Sequence, residues 1–304
     1  VTPLQSILSG PGQLNRRAAA PAARLPVKPL TKQTVVIRLL LLVLALMTVY
    51  ALATLDDGDV DLLKAVADTL SNLKIIFLHP GGPHLSFFTA LYEVVITLGL
   101  AFLATVFGGF IALFLGLLGA QNLAPKPVTN VIKVFVAVIR AVPTILWVLI
   151  FAVTAGLGAA AAVIGMTFHS VSYLTKAYAE SFEDVDRSVI EALKASGANW
   201  WQIVFQAVIP SSFTYLLSWT FLRFEMNFAN AVVMGAAAGA SGVGFDLYMA
   251  SGYYFDLREV GLITYLILGF AMALEAVATR MKSKIKDHNP ASVATRQSVD
   301  SLAL

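Results

Sequence analysis

The chain has 304 residues, 58% of them apolar and only 13% charged, with a net charge of +3 and a mean hydropathy of +0.78. Soluble domains carry roughly a quarter charged residues, so this chain cannot cover itself with polar surface in water, and lipid is its natural solvent. Cysteine is absent; that excludes disulfides, thiolate metal sites and a cysteine nucleophile, and leaves the redox compartment open.

A span needs about 20 apolar residues to cross a hydrocarbon core of roughly 30 Å, and the chain divides accordingly. Residues 1–34 hold Arg16, Arg17, Arg24, Lys28 and Lys32 without a sustained apolar period, and read as a disordered basic tail. The first apolar run, 35–55, is interrupted only by Arg38. Ala51-Leu52-Ala53 looks like a signal-peptidase site, but the basic region before the run is long for a signal peptide, and an uncleaved span is expected. Residues 56–86 are polar and acidic. Apolar spacing over 60–78 predicts a surface helix, which His79-Pro80-Gly81-Gly82-Pro83 then breaks. Apolar runs follow at 87–118, 128–155, 159–178 and 201–224, then a Gly/Ala-rich stretch to Gly244, then a last run at 261–278. The expectation is an all-α polytopic membrane protein with about six transmembrane helices. Its parts are a tail at 1–34, the first span and an outer loop at 35–86, the main transmembrane domain at 87–286 and a second disordered tail at 287–304.

Charge placement orients these spans. Segments 1–38, 126–140, 176–194 and 280–296 hold 17 of the 21 Lys and Arg. The positive-inside rule then puts both termini in the cytoplasm, with 56–86 and the 154–158 turn outside and the charged 180–199 loop inside.

The most specific motif is EALKASGANWWQIVFQAVIP, residues 191–210. It reads as a short helix and a stop at Gly197, since glycine suits the left-handed residue past a helix end. A new span then begins through Trp200 and Trp201, residues suited to the membrane–water interface. The pattern resembles the loop of ABC importer permeases that runs Glu-Ala-x-x-x, then Gly, then Ile-x-x-Pro or a close variant. Here these are Glu191, Ala192, Gly197 and Val208-Ile209-Pro210. RAVPTILWVLIF (140–151), the His169…Lys176…Glu180 spacing and RFEMN (223–227) followed by glycines resemble the phosphonate-type permeases of that group, over roughly residues 87–286. Two departures stand out. The glycine segment GAAAGASGVG (235–244) is looser than the family's Gly-Ala-Gly-Gly-Ile-Gly, and Ala229 stands where an arginine is expected.

The resemblance implies a coupling helix, with Glu191, Ala192, Lys194, Gly197 and Pro210 engaging an ATP-binding subunit. It implies a homodimer with two such ATPases and an extracytoplasmic substrate-binding protein, in a bacterial inner membrane. The cargo it implies is a phosphorus oxyanion: phosphonate, phosphate or phosphite. ATP hydrolysis would reside on the partner, so this chain is not itself expected to be an enzyme. An ordinary charged loop between two spans is the plainer reading of the same motif.

Ionisable groups inside a membrane are expensive and invite a functional reading. Arg223, placed near an outer span end, either attracts an oxyanion or snorkels to the interface. Glu225, two residues on, falls on another helix face. His169, mid-span, is a pore-lining donor or a hydrogen-bonded packing residue. Lys176 is expected to snorkel, Arg140 to play a structural part and Glu93 to satisfy a contact between helices. Gly108, Gly109, Gly116 and Gly119 allow close helix approach, while Gly235, Gly239, Gly242 and Gly244 are candidates for a gate of flexible backbone, which is tolerated at membrane depth only against protein or water. No GxxxxGK[ST], HExxH or Gly-x-Ser-x-Gly occurs, so no cofactor or metal is expected, and the basic tail lacks the interleaved aromatics of a nucleic-acid binder. A lipid-phosphate transferase using Glu93, His169 and Arg223 would cluster them at one interface, whereas here they are scattered. An ion-coupled secondary transporter would bury acidic groups mid-span, and none is obvious.

Overall fold

The computed structural model describes residues 32–54 and 61–287, and among these it is helical with no strand. Both expected tails lie outside the described residues except at their inner edges, where helices begin at Lys32 and end at Asp287. Helix α1, Lys32–Thr54, forms a unit of its own. It is apolar on all sides and buries none of its residues, as a helix surrounded by lipid would be.

The second compact unit begins at Leu63, so the surface helix α2, Leu62–Leu78, belongs to it rather than to the first span. Gly261 lets α2 approach α11, Leu257–Asp287, because a Cβ there would overlap the Ile76 carbonyl. Tyr265 donates to Phe77 O at 2.7 Å, and Gly81 N–H donates to Arg258 O at 3.0 Å. Glu259, 1% exposed, accepts from the backbone N–H groups of His84 (2.6 Å) and Leu85 (3.1 Å), and its carboxylate lies 3.3 Å from His84 Nδ1. These contacts clip the 79–86 loop to the start of α11.

The remaining elements are α3 (Phe87–Gly119), α4 (Lys126–Ala141), α5 (Thr144–Ala155), α6 (Ala159–Glu183), α7 (Arg187–Ala195), α8 (Trp200–Ile203), α9 (Ile209–Ala238) and α10 (Val243–Tyr248). Among the described residues, three helices are long and apolar enough to span a bilayer by themselves: α1, α3 and the Leu257–Arg280 part of α11. Two more spans are made if each of two bent helix pairs counts as one. Pro143 lacks the N–H that would continue α4, and α5 leaves at 87° to it. Trp147 Nε1 donates to Ile139 O at 3.1 Å, satisfying a carbonyl freed at that break. The second pair is Trp200–Ala238, bent 58° from α10 and its continuation to Tyr253. Within it, α8 runs into α9 through a wide turn, Val204–Val208, closed by Ile209 N–H to Val204 O. Such i→i+5 turns are rare and occur mostly as single-turn bulges inside helices, and here Pro210 follows it closely.

Helix α6 supplies the sixth span. It is long enough but more polar than a helix that faces lipid, a polarity it can carry because it lies at the centre, packed on α3, α4, α5 and α9. Fourteen of its 25 residues are buried, so protein rather than lipid surrounds it; the hydroxyls of Ser170, Ser172, Ser181 and Tyr178 find partners there, whereas those of Thr167 and Thr175 do not.

Helix α9 departs from the expected boundary. The span expected to stop at residue 224 continues as regular helix to Ala238. The part of the Gly/Ala stretch up to Ala238 stays helical, with α10 folded back on it. A Cβ at Gly244 would overlap the Val232 carbonyl, and one at Gly235 would lie 3.0 Å from Gly244 Cα. Tertiary contact here overrides the low helix propensity of glycine.

Candidate functional site

Two places in the fold carry the residues singled out by sequence. The first is the loop between α6 and α9. Helix α7 starts at Asp186, whose side chain accepts from Ser188 N–H at 2.8 Å. That bond from the backbone holds the Asp186 carboxyl below the usual range. The helix ends as the sequence implies. Gly197 has φ +87°, its N–H donates to Lys194 O at 3.0 Å, and Ala198 N–H donates to Leu193 O at 3.0 Å, the paired bonds of a Schellman stop. Asn199 and Gln202 then cap the next helix reciprocally, at 2.9 and 2.7 Å. Only Ile190 of α7 is buried, at 3% exposure. Glu191, Ala192, Lys194 and Gly197 are all exposed. Pro210 lies outside this surface, on an exposed face at the second residue of α9. Trp200 Nε1 donates to Leu123 O at 3.0 Å, fastening this segment to the loop between α3 and α4.

The second place is a polar network halfway along three helices. Arg223 is the fifteenth residue of the 30-residue α9, roughly 20 Å from either helix end. This corrects the expectation of an outer position, and the cause is the extension of α9 to Ala238. Arg223 is 0% exposed, enclosed by its own chain rather than open at a surface. Its Nε donates to Ser170 Oγ at 2.9 Å, and its Nη2 lies 3.1 Å from His169 Nδ1. Asn227, one turn on, donates to Ser170 Oγ and to Thr105 Oγ1, both at 2.9 Å. The Ser170 hydroxyl also donates to Met166 O at 2.7 Å. Gly108 makes this convergence possible, since a Cβ there would lie 2.6 Å from Ser170 Cβ.

Arg223 has no ion pair among the described residues, and its Nη1, although buried, has no hydrogen-bond partner. Its Cζ lies 5.3 Å from the Tyr173 ring centre, and Arg140 Cζ lies 5.9 Å from the same centre. A buried cation that lacks a carboxylate is costly and leaves positive potential in a low-dielectric interior.

Of the sequence-predicted site residues, His169 and Arg223 meet directly. Glu225 stays half-buried outside the network. Glu93 accepts from Gly242 N–H at 2.9 Å, the contact between helices expected of it. Of the four glycines, Gly235 and Gly244 form the α9–α10 contact, whereas Gly239 and Gly242 take positive φ at the bend. Thr105, Ser170, Tyr173 and Asn227 were missed. For Asn227 and Tyr173 the signal was the four-residue spacing from Arg223 and from His169, which puts each pair on one helix face; Thr105 and Ser170 carried no such signal.

Residues 108–281 match the family described as binding-protein-dependent transport system inner membrane component. The chain is 32% identical over 191 residues to a phosphite transport system permease protein of Stutzerimonas stutzeri, covering 62% of this chain and 69% of that one. It is 28% identical over 190 residues to a phosphate-import permease protein of Mycolicibacterium smegmatis, covering 62% of this chain and 35% of that one. An inward-facing chain of the MetNI methionine ABC transporter superposes with a TM-score of 0.56 at 21% identity, over 64% of this chain and 94% of that one, a likeness of fold alone. The six-span helical fold, the family match over more than half the chain and the permease relative agree: the chain belongs to the binding-protein-dependent transport system inner membrane components, the membrane-spanning permeases of ABC importers.

Proposed function

We propose that this permease moves a phosphorus oxyanion, phosphite, phosphate or phosphonate, inward across the membrane. The observation that carries the reading is Arg223, a cation fully buried midway along α9, with no carboxylate partner among the described residues and a guanidinium nitrogen left free. A passage for an anion needs positive potential where water is scarcest, and a planar guanidinium suits phosphoryl oxygens. The phosphite and phosphate-import relatives support the same cargo.

In this reading two copies of the chain enclose the path, and two ATP-binding subunits hydrolyse the ATP. An extracytoplasmic binding protein delivers the anion. The exposed face of α7, with Glu191, Ala192, Lys194 and Gly197, docks into the ATPase, and the Trp200–Leu123 bond passes its movement to α3 and α4. Pro210 contributes by setting the start of α9. Both termini lie in the cytoplasm by the distribution of positive charge, and the bend at Gly239 and Gly242 serves as the hinge of an outer gate. The domain division is the compact helical unit after residue 62, preceded by α1 and flanked by the two tails.

The test is ATP-driven uptake into proteoliposomes holding the assembled transporter, with phosphite, phosphate, methylphosphonate and methionine offered in turn. Uptake of a phosphorus oxyanion, uncompeted by methionine, is the expected result. The curated relatives also include methionine permeases, so methionine uptake with no oxyanion uptake would overturn the substrate reading.

A further inference from the structure

A second cationic site lies on the coupling-loop side of the buried network. Helices α4 and α6 enclose a half-open cavity of about 510 Å³, lined by Lys133, Arg140, Thr175, Lys176, Glu180 and Glu183 among its polar residues. Small side chains on its wall, Gly119, Ala137 and Ala179, leave the space.

Three features make this cavity more than a gap between helices. Lys133 lies 3.9 Å from Glu183 and Lys176 lies 3.6 Å from Glu180. Both exceed hydrogen-bond length, so the ammonium donors remain available to a ligand. Arg140 has no ion pair among the described residues, and its one close partner is the Tyr173 ring. The third feature is Thr175. Its side chain is 1% exposed, it lines the cavity, and its hydroxyl has no hydrogen-bond partner. A buried hydroxyl left unmatched costs free energy unless a ligand supplies the missing bond. With three cations against two carboxylates, the cavity has a positive balance, and the unpaired cation, Arg140, shares the Tyr173 ring with Arg223.

We propose that the α4–α6 cavity binds a tetrahedral phosphate group, with Arg140 as its main cation, the Thr175 hydroxyl as a further donor and Lys133 and Lys176 exchanging their carboxylate partners for it. Two sources share that chemistry: an oxyanion in transit, and the headgroup of an anionic phospholipid beside the apolar wall of Ile132 and Val136. The first source rests on the proposed substrate; the second does not.

The test uses the assembled transporter in phosphatidylcholine nanodiscs, with radiolabelled orthophosphate as the probe. Arg140→Gln is expected to weaken binding about tenfold or more, and Thr175→Val, close in shape, about threefold to tenfold. A parallel set in discs containing phosphatidylglycerol separates the sources. If the lipid is the ligand, orthophosphate binding is lost there, and native mass spectrometry finds phosphatidylglycerol retained by the wild type but not by Arg140→Gln. Either pattern supports the site. The proposal is overturned if wild type retains neither ligand, or if both variants hold orthophosphate and phosphatidylglycerol as the wild type does. Uptake in the same preparations keeps the two ideas apart. Normal oxyanion uptake by a transporter whose cavity variants bind as wild type removes the cavity and leaves the substrate reading standing. Absence of oxyanion uptake by the wild type removes the substrate reading alone.

Discussion

Replacing Arg223 by leucine tests whether its charge serves transport. The fold should tolerate the change. Ser170 keeps its bonds to Asn227 and Met166 O, His169 is only partly buried, and removing an unpaired buried charge relieves its desolvation. Transport should not tolerate it. Arg223 and Arg140 flank the same tyrosine ring, so an anion held at Arg140 sits on the order of 10 Å from Arg223. At an effective dielectric of 20 that charge is worth about 1.7 kcal/mol, or roughly twentyfold in anion occupancy. Arg223→Leu should therefore lower kcat/KM for oxyanion uptake by about that factor, with normal expression and normal ATPase assembly. Arg223→Lys keeps the charge and loses the planar fork, and should recover most of the electrostatic part. Arg258→Ala, an exposed position at the start of α11, should transport as wild type. The assay is initial-rate uptake in proteoliposomes across a concentration series. Uptake by Arg223→Leu equal to wild type refutes the argument, and so does Arg223→Lys failing as badly as leucine, since charge would then not be the operative property.

Gly197→Ala forces an L side chain into φ +87°, at a cost of about 1–2 kcal/mol, and should unwind the α7 stop; with Glu191→Lys, it is expected to leave ATP hydrolysis running without uptake, measured as the ratio of the two rates. Gly244→Ala has no room beside the Val232 carbonyl, whereas a Cβ at Gly269 meets nothing within 4 Å. Thermal denaturation in detergent should show Gly244→Ala destabilised by about 1–3 kcal/mol and Gly269→Ala unchanged or slightly more stable. Removal of residues 1–30 should leave insertion, assembly and uptake intact, which co-purification with the ATPase and an uptake assay both check.

What could be read from the sequence follows the range of the interactions involved. Helix α7 and its flanks were legible because their bonds are local: Asp186 to Ser188, Gly197 to Lys194, and Asn199 with Gln202 all lie within three residues. The break at Pro143 is equally local, since a missing N–H acts on its own helix, but 128–155 reads in the sequence as a single apolar run, and the 87° bend was missed. The end of α9 was misplaced because what holds 225–238 helical is α10, a partner that composition does not reveal. The sixth span is the reverse case. Hydropathy alone underrates α6, yet its polarity is what a helix surrounded by other helices can carry.

The central network was half legible for a physical reason. A charged residue in an apolar run announces a cost, but the partners that offset the cost come from elsewhere in the chain. Thr105 on α3, Ser170 on α6 and Asn227 on α9 are each unremarkable alone, and together they fix the depth at which three helices meet. Arg223 joins that meeting through only part of its guanidinium. Nε and Nη2 bind α6 at Ser170 and His169, while Nη1 is unmatched. If α6 and α9 part during transport, the bonds to α6 break and a buried cation would be left bare unless an anion takes their place. On the proposed reading, helix separation is then favoured when the substrate is present and penalised when it is absent, so the same residue that locks the closed bundle couples its opening to cargo.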